Sequence, residues 1–345
     1  MMGKRHVLRL RMAPLFALAL LFALAPALAC AQSLAPSGPP SLSARPPSVA
    51  TGFLPLYRPQ PMPDFGPAGP NADLAYAAYQ RGYFRTALQE AMKRLDRNKA
   101  DTAAMTLVGE LFKEGFGVRR DLAEAARWFR LAAERGDIQA QFALAVASLS
   151  GTGVPQDRAA ATALLEKAAA AGHAGALFNL GILAIDGEKQ DFSRAADFFR
   201  RAAEGGNVDG AYSLALLYRE GRGVMRDNAA AARWMKRAAD ERIAAAEVEY
   251  AIMLFNGEGV ARDEAGAAKL FLRAAYRNNP VAMNRLARLY LAGRGLAKDE
   301  IEAMKWHILA RAVGLNDERL DATLKGMNVR DMAIVEERVR QFVGP

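Results

Sequence analysis

The chain has 345 residues, 52% of them apolar, so it is long enough to bury a substantial core. Its net charge is +9, but positive and negative residues alternate along the chain, as in RRDLAEAAR and KRAADER. Nucleic-acid binding needs basic residues clustered on one face, so we predict no nucleic-acid partner. The single cysteine, Cys30, excludes an internal disulfide, and beyond residue 31 only His173 and His307 remain, which argues against a metal cluster. We predict no cofactor, and a packing or surface role for both histidines.

Residues 1–31 have the layout of an export signal. Four basic residues between Lys4 and Arg11 precede an apolar run over residues 15–25. As a helix, this run would measure about 16 Å, roughly half of a bilayer core, which is typical of a signal peptide and not of a membrane anchor. We therefore predict export to the periplasm or beyond, with no membrane span.

Two processing outcomes stay open for this signal. The small residues around Cys30, Ala29 and Ala31, fit cleavage by ordinary signal peptidase, which would release a soluble protein that begins at Gln32. The stretch from Ala27 to Cys30 also resembles a lipoprotein box, which would attach a lipid to Cys30 and anchor the protein in the outer membrane. Leu28 stands one place nearer to the cysteine than that box usually has it, so the sequence favours soluble release.

Residues 32–70 are predicted to be a disordered linker, because eleven of the 16 prolines lie there among Ser, Gly and Ala. Residues 71–100 then place apolar side chains at helical spacing on both sides of Gly82, which predicts a helical hairpin. After residue 314 the sequence again shows helical spacing, and we predict that residues 315–345 form capping helices.

Residues 101–314 contain a repeated layout whose most visible mark is Gly-x-Gly. The steps between successive first glycines are 36, 36, 34, 36 and 36 residues. A fixed period of this length predicts a solenoid of six helical hairpins, with helix A before each glycine and helix B after it. Because each Gly-x-Gly follows a helix and no strand, we interpret it as a helix end and not as a phosphate-binding loop. The first glycines are Gly115, Gly151, Gly187, Gly221, Gly257 and Gly293.

Three further positions recur in each repeat. An aspartate six places after the first glycine, four places in the third copy, is predicted to cap helix B, with Glu124 and Glu302 completing capping boxes in two copies. A small residue six places before the glycine is predicted to allow close helix packing. A large apolar residue thirteen places after it, eleven in the third copy, is predicted to pack in the core; Trp128, Trp234 and Trp306 are three of these residues.

The units G-x-G-V-x-x-D, A-x-x-W and A-A resemble Sel1-like repeats, a branch of the tetratricopeptide superfamily. The resemblance implies an all-α, right-handed α-solenoid, and makes residues 71–100 a hairpin of tetratricopeptide type. The third copy departs from the pattern, since it has lost two loop residues and the second glycine. In bacterial envelopes, similar proteins scaffold complexes, restrain sensor kinases or help to build polysaccharide export machines. The family has no catalytic residues, so we do not expect an enzyme.

Successive A helices carry apolar residues nine and five places before the glycine in the four central copies, and polar residues in the outer two. This column is interpreted either as the floor of a groove for an amphipathic helix or as core packing. The position eight places before the glycine varies between copies, as a surface position tolerates. We take five residues as candidate protein-binding positions and interpret the neighbouring Glu247 as a solvated acid. The five candidates are Asn179, Tyr212, Glu249, Arg285 and Arg288.

These patterns predict a periplasmic interaction scaffold or regulator that holds a protein partner in its groove, restraining a sensor kinase or organising an envelope complex. The alternative is an outer-membrane lipoprotein, anchored at Cys30, that supports polysaccharide secretion or cell-wall machinery. An enzyme that acts on cell wall or β-lactams is the least favoured interpretation, because no nucleophile and base lie in a suggestive pattern.

Overall fold

A computed structural model describes residues 73–186 and 189–344, so the predicted signal peptide, Cys30 and the proline-rich segment lie outside the described residues. The described part of the chain forms sixteen α-helices and no β-strand. In chain order they are α1 Leu74–Gln80, α2 Phe84–Arg97, α3 Thr102–Glu114, α4 Leu122–Glu134, α5 Ile138–Ser150, α6 Arg158–Ala170, α7 Ala174–Ile185, α8 Phe192–Glu204, α9 Val208–Glu220, α10 Asn228–Asp240, α11 Ala244–Asn256, α12 Glu264–Ala275, α13 Pro280–Ala292, α14 Glu300–Ala312, α15 Glu318–Gly326 and α16 Val329–Val343.

The six repeats are pairs of helices, with the odd-numbered helices α3 to α13 as A helices and the even-numbered helices α4 to α14 as B helices. From α2 to α14 each helix packs against the next one in the chain, so neighbouring repeats share one continuous core. This arrangement confirms the predicted all-α repeat solenoid.

The predicted glycine ends and aspartate caps are observed at most helices, but the predicted capping boxes are not. Five A helices end at a glycine in the left-handed conformation, with φ between 64° and 75°. Each B helix begins at an aspartate whose side chain accepts a backbone N–H bond, as Asp121 does from Glu124. Both predicted capping boxes were wrong, because the N–H groups of Asp121 and Asp299 donate to the carbonyls of Phe112 and Tyr290. The carboxylates of Glu124 and Glu302 pair instead with Arg127 and Arg338.

The tryptophan position is less buried than the sequence suggests. Only Trp306 is fully buried, whereas Trp128 and Trp234 are half-buried. The next residue in each repeat is the core residue, because one helical step of about 100° moves a side chain from the rim of the buried face to its centre. The core positions are Phe129, Leu165, Phe199, Met235, Phe271 and His307, all 2% exposed or less.

Small residues on helix A allow this core side chain to approach, as predicted. A Cβ built on Gly109 would lie 2.6 Å from the ring of Phe129, and one built on Gly181 would lie 2.4 Å from the ring of Phe199. Glycine at these two positions therefore gives helix B room to bury a phenylalanine against helix A.

The second glycine of Gly-x-Gly joins one repeat to the repeat before it. A Cβ on Gly153, Gly223, Gly259 or Gly295 would lie about 2 Å from backbone atoms at the first residue of the preceding B helix. The third repeat lacks this glycine, and there Arg158, the first residue of α6, pairs instead with the carboxylate of Asp186. A side-chain ion pair thus stands where the other repeats have a close backbone contact.

The last two helices pack on the final repeat. Helix α16 lies against α14 and buries Val335, while α15 buries Leu320. Phe342 sits edge-on against Trp306, with ring centroids 5.2 Å apart. The end of the core is thereby covered by aromatic and aliphatic side chains.

Candidate protein-binding face

Successive A helices lie side by side, and polar contacts join their facing sides. His173, at the start of α7, lies 3.1 Å from the side-chain oxygen of Gln139 on α5. Farther along, Arg219 on α9 pairs with Glu249 on α11 across 2.6 Å. The A helices therefore form one continuous face made of corresponding positions in successive repeats.

The position nine places before the glycine is buried in three of the four central repeats. Phe142, Phe178 and Val248 are each less than 9% exposed, and the Phe142 ring stacks on His173 with centroids 4.4 Å apart. Tyr212 in the same position is half-buried, and burial with the nearby Glu249 carboxylate raises its pKa to about 12. Three of these four side chains consequently serve core packing.

The position five places before the glycine is different, because its four aliphatic side chains are all half-buried. They share one register on α5, α7, α9 and α11, and the same register carries Glu110 at one end and Arg288 at the other. We call these four residues the aliphatic stripe. Its members are Val146, Ile182, Leu216 and Ile252.

Asn179 and Glu249, two of the predicted site residues, are half-buried beside this stripe. The Asn179 amide donates to the carbonyl of Gly175 on its own helix. The Glu249 carboxylate is engaged by Arg219. Both side chains are therefore held in place by contacts within the solenoid.

Arg285 and Arg288 lie at the C-terminal end of the face, and their surroundings differ. Arg288 donates from Nε to Asp317 across 2.7 Å, and Asn284 donates to the same carboxylate oxygen across 2.9 Å. Burial opposes the ionisation of Asp317, but these hydrogen bonds outweigh it and lower its pKa to about 2. Arg285 is exposed, and no described residue pairs with it. Asn284 and Arg288 thus hold the segment that leads into α15 against α13.

A shallow cleft of about 290 Å³ opens between α11 and α13, beside Arg285. Its apolar wall includes Ile252, the last member of the stripe, and Phe255. Arg294 also lines the cleft, where its guanidinium lies 4.2 Å above the Phe255 ring and binds Glu264 through two hydrogen bonds. The face therefore ends in an apolar cleft with a basic rim.

Two buried polar groups were missed or misread from the sequence. Glu247 is not solvated as predicted: it is fully buried and pairs with Arg273 and Arg277 on α12 and just after it. His307 occupies the core position of the sixth repeat, with Nε2 2.9 Å from Asp321. Alignment of the six copies could have revealed His307, because the column that contains it is otherwise apolar.

His173 was also missed as a helix cap. Its Nδ1 accepts the backbone N–H of Ala176, so the histidine does for α7 what Asp137 and Asn207 do for α5 and α9. Burial lowers the pKa of His173, which favours the neutral ring that this hydrogen bond requires. The cap residues recur at the same spacing as the glycines, and this spacing could have identified His173 as the cap of α7.

Within residues 73–186 and 189–344, no three side chains of His, Cys, Asp or Glu come together as a metal site. In the same ranges, no helix has the length and apolarity that a membrane crossing requires.

Known proteins match this fold in sequence and structure. The Sel1 repeat model matches residues 102–137, 138–173, 174–207, 208–242, 244–279 and 280–314. A Sel1 repeat protein from Oxalobacter formigenes is 27% identical, with a TM-score of 0.59 over 72% of this chain and 100% of its own. A protective antigen present in uropathogenic Escherichia coli strains, displaying an SLR fold, is 25% identical, with a TM-score of 0.53 over 78% of this chain and 67% of its own. No curated protein matches the chain.

The resemblance drawn from the repeated glycines, aspartates and alanine pairs is confirmed by these matches. Sel1 repeat proteins generally mediate protein–protein interactions, and their fold is typically a scaffold without catalytic activity. The six matched segments span most of the described residues, and this chain belongs to the Sel1 repeat family.

Proposed function

We propose that this protein is an exported interaction scaffold that holds an amphipathic helix of a partner protein on its A-helix face. The observation that carries the proposal is the aliphatic stripe, four side chains in one register that are all only half-buried. A row of half-exposed aliphatic side chains suits a partner helix whose apolar residues recur on one face. The contact would remove this surface from water.

The residues beside the stripe support the same proposal. Ala143 and Ser213, eight places before their glycines, are small and half-exposed, so they leave space for a helix to approach the stripe. The polar residues Glu110 and Arg288 flank it. A partner helix laid along the stripe would therefore meet apolar side chains at its centre and charged groups at its ends.

The export signal at residues 1–31 supports a setting outside the cytoplasm, where the partner would be the outer domain of a sensor kinase or a component of an envelope complex. The alternative, an outer-membrane lipoprotein that supports polysaccharide secretion or cell-wall machinery, depends on lipidation of Cys30. A Cys30→Ser variant distinguishes the two settings. Loss of membrane association in this variant supports the lipoprotein, whereas equal solubility of variant and wild type excludes it.

Photo-crosslinking in the native host tests the binding face directly. A photoreactive residue at Ser213 is expected to capture a specific protein, while the same residue at the exposed Arg233 on helix B serves as the control. In protein whose melting curve shows that it is folded, Leu216→Ser and, at the other small position, Ala143→Arg should each strongly reduce the crosslinked product. Leu131→Ser, at an apolar position on helix B that is 40% exposed, is the matched control and should retain it. Equal capture at both sites would overturn the proposal.

A further inference from the structure

The cleft at the C-terminal end of the aliphatic stripe holds three arginines, and two of them already have partners. Arg294 is held by Glu264, and Arg288 is held by Asp317. Hydrogen bonds from Arg294 and Arg262 lower the pKa of Glu264 to about 2, so this carboxylate stays ionised at neutral pH. Both ion pairs, Arg294 with Glu264 and Arg288 with Asp317, therefore persist at neutral pH.

Arg285 is the third arginine, and its charge is not balanced by any described residue. It is exposed, it lies on α13 one turn before Arg288, and it lines the cleft together with Ile252 and Phe255. Arg285 therefore brings an unpaired positive charge to the cleft, beside an apolar wall. Such a combination attracts an anionic group that is attached to an apolar one.

The size of the cleft limits what can enter it. Its volume of about 290 Å³ lies at the lower end of the range of roughly 300–1,000 Å³ that ligand pockets occupy, which suits one large side chain better than a whole folded element. The wall residues Ile252, Phe255 and Leu289 are aliphatic or aromatic, so this side chain should be apolar.

We propose that this cleft is an anchoring subsite for a partner segment in which a large apolar side chain stands next to an aspartate or glutamate. The apolar side chain enters the cleft and contacts Ile252, Phe255 and Leu289, and the acidic side chain pairs with Arg285. The inference deepens the proposed function, on which it rests, since the cleft continues the aliphatic stripe beyond Ile252. It gives the bound segment a direction, with its acidic end at the sixth repeat.

Peptides selected from a random phage library against the purified protein test this subsite. We expect the selected sequences to place Asp or Glu within one helical turn of an aromatic or large aliphatic residue. Synthetic versions, measured by fluorescence anisotropy, should lose at least about tenfold in affinity to an Arg285→Glu variant. Arg285→Lys should retain part of the binding, and Arg233→Glu on helix B, which also removes an exposed arginine, should bind like the wild type. Affinity should fall as NaCl rises from about 0.05 to about 0.5 M.

The controls separate this inference from the proposed function. Peptides that lose binding with Leu216→Ser but not with Arg285→Glu would overturn the subsite and leave the stripe intact. Selected sequences without acidic enrichment would overturn the subsite as well. Tighter binding of a phosphorylated or lipid-bearing probe than of the acidic peptide would also overturn it, and would indicate a different ligand for the cleft. Failure to select any peptide that responds to Leu216→Ser would count against both proposals.

Discussion

A Cβ added to Gly259 would lie 1.9 Å from the carbonyl oxygen of Asn228, the first residue of the B helix in the preceding repeat. The glycine has φ of 69°, so it combines a left-handed backbone with a contact that no side chain fits. Adjacent repeats are therefore joined where the loop of one repeat touches the helix start of the repeat before it.

Gly259→Ala should destabilise the protein by about 3 kcal/mol or more, because overpacking against Asn228 adds to the strain of a left-handed alanine. Gly172→Ala is the matched control, since Gly172 has φ of 83° but no atom that an added Cβ would meet within 4 Å. The control should cost only about 1–2 kcal/mol. Urea denaturation followed by circular dichroism measures both, and equal losses would show that the contact with Asn228 relaxes freely.

The two tryptophans at the same repeat position should differ in their contribution to stability. Trp306→Ala should cost about 3–5 kcal/mol, because the side chain is fully buried against Phe342. Trp234→Ala should cost less, since Trp234 is half-buried and Met235 fills the core beside it. Thermal melts of the two variants rank their stabilities. A larger loss of stability for Trp234→Ala would contradict the difference in burial between the two tryptophans.

His173 should make the stability of the solenoid dependent on pH. Burial lowers its pKa in the folded state, so the unfolded chain binds the proton more readily. The stabilising contribution of the neutral ring is therefore complete above the unfolded pKa of about 6.5 and is lost as the pH falls through that value toward the folded pKa. The loss is limited to the worth of one helix cap, about 1 kcal/mol.

A His173→Asn variant isolates this effect, because Asn207 and Asn279 cap the corresponding helices of other repeats. Melting temperatures measured between about pH 5 and about pH 8 should fall more steeply at the acidic end for the wild type than for the variant. Parallel curves would mean that His173 remains a cap when protonated.

Asp317 should stabilise the C-terminal end of the solenoid over most of the pH range. Its pKa of about 2 lies below the unfolded value of about 3.9, so it contributes about 2 kcal/mol above pH 4, and this is lost as the pH falls toward 2. Asp317→Asn should remove that contribution and leave α15 more open to hydrogen exchange. Asp96→Asn, at an exposed pair with Lys99, is the control and should change stability by less than about 1 kcal/mol. Unaltered exchange in α15 would show that Asn284 and Arg288 do not hold it.

The sequence was sufficient to predict the fold because its signals are local. A left-handed glycine and a capping aspartate act within one turn of the chain, and Gly257 and Asp263 show this where α11 ends and α12 begins. Repetition then made each local signal recognisable six times. The repeat period alone therefore predicted which elements form and how they alternate.

Burial and pairing between distant residues could not be predicted in the same way. The hydrogen bond between Asn284 and Asp317 joins residues 33 positions apart. Asp317 lies after the six repeats, so a comparison of the repeat copies does not reveal this pair. In the sequence Glu247 resembles a surface acid, because its partners Arg273 and Arg277 lie on the next helix and just after it. The aliphatic stripe was visible as a pattern, but its half-exposure depends on the angle between neighbouring helices.

The ion pair between Arg158 and Asp186 has a consequence for how such chains grow and recombine. At the other junctions between repeats, the second glycine meets the backbone of the preceding B helix, and that contact does not depend on which side chain stands there. The junction between the second and third repeats needs two specific side chains, one from each side. Duplication or grafting would therefore transfer these two repeats as a unit. In a chimera that separated them, the new junction would lack both the second glycine and the ion-pair partner of Arg158.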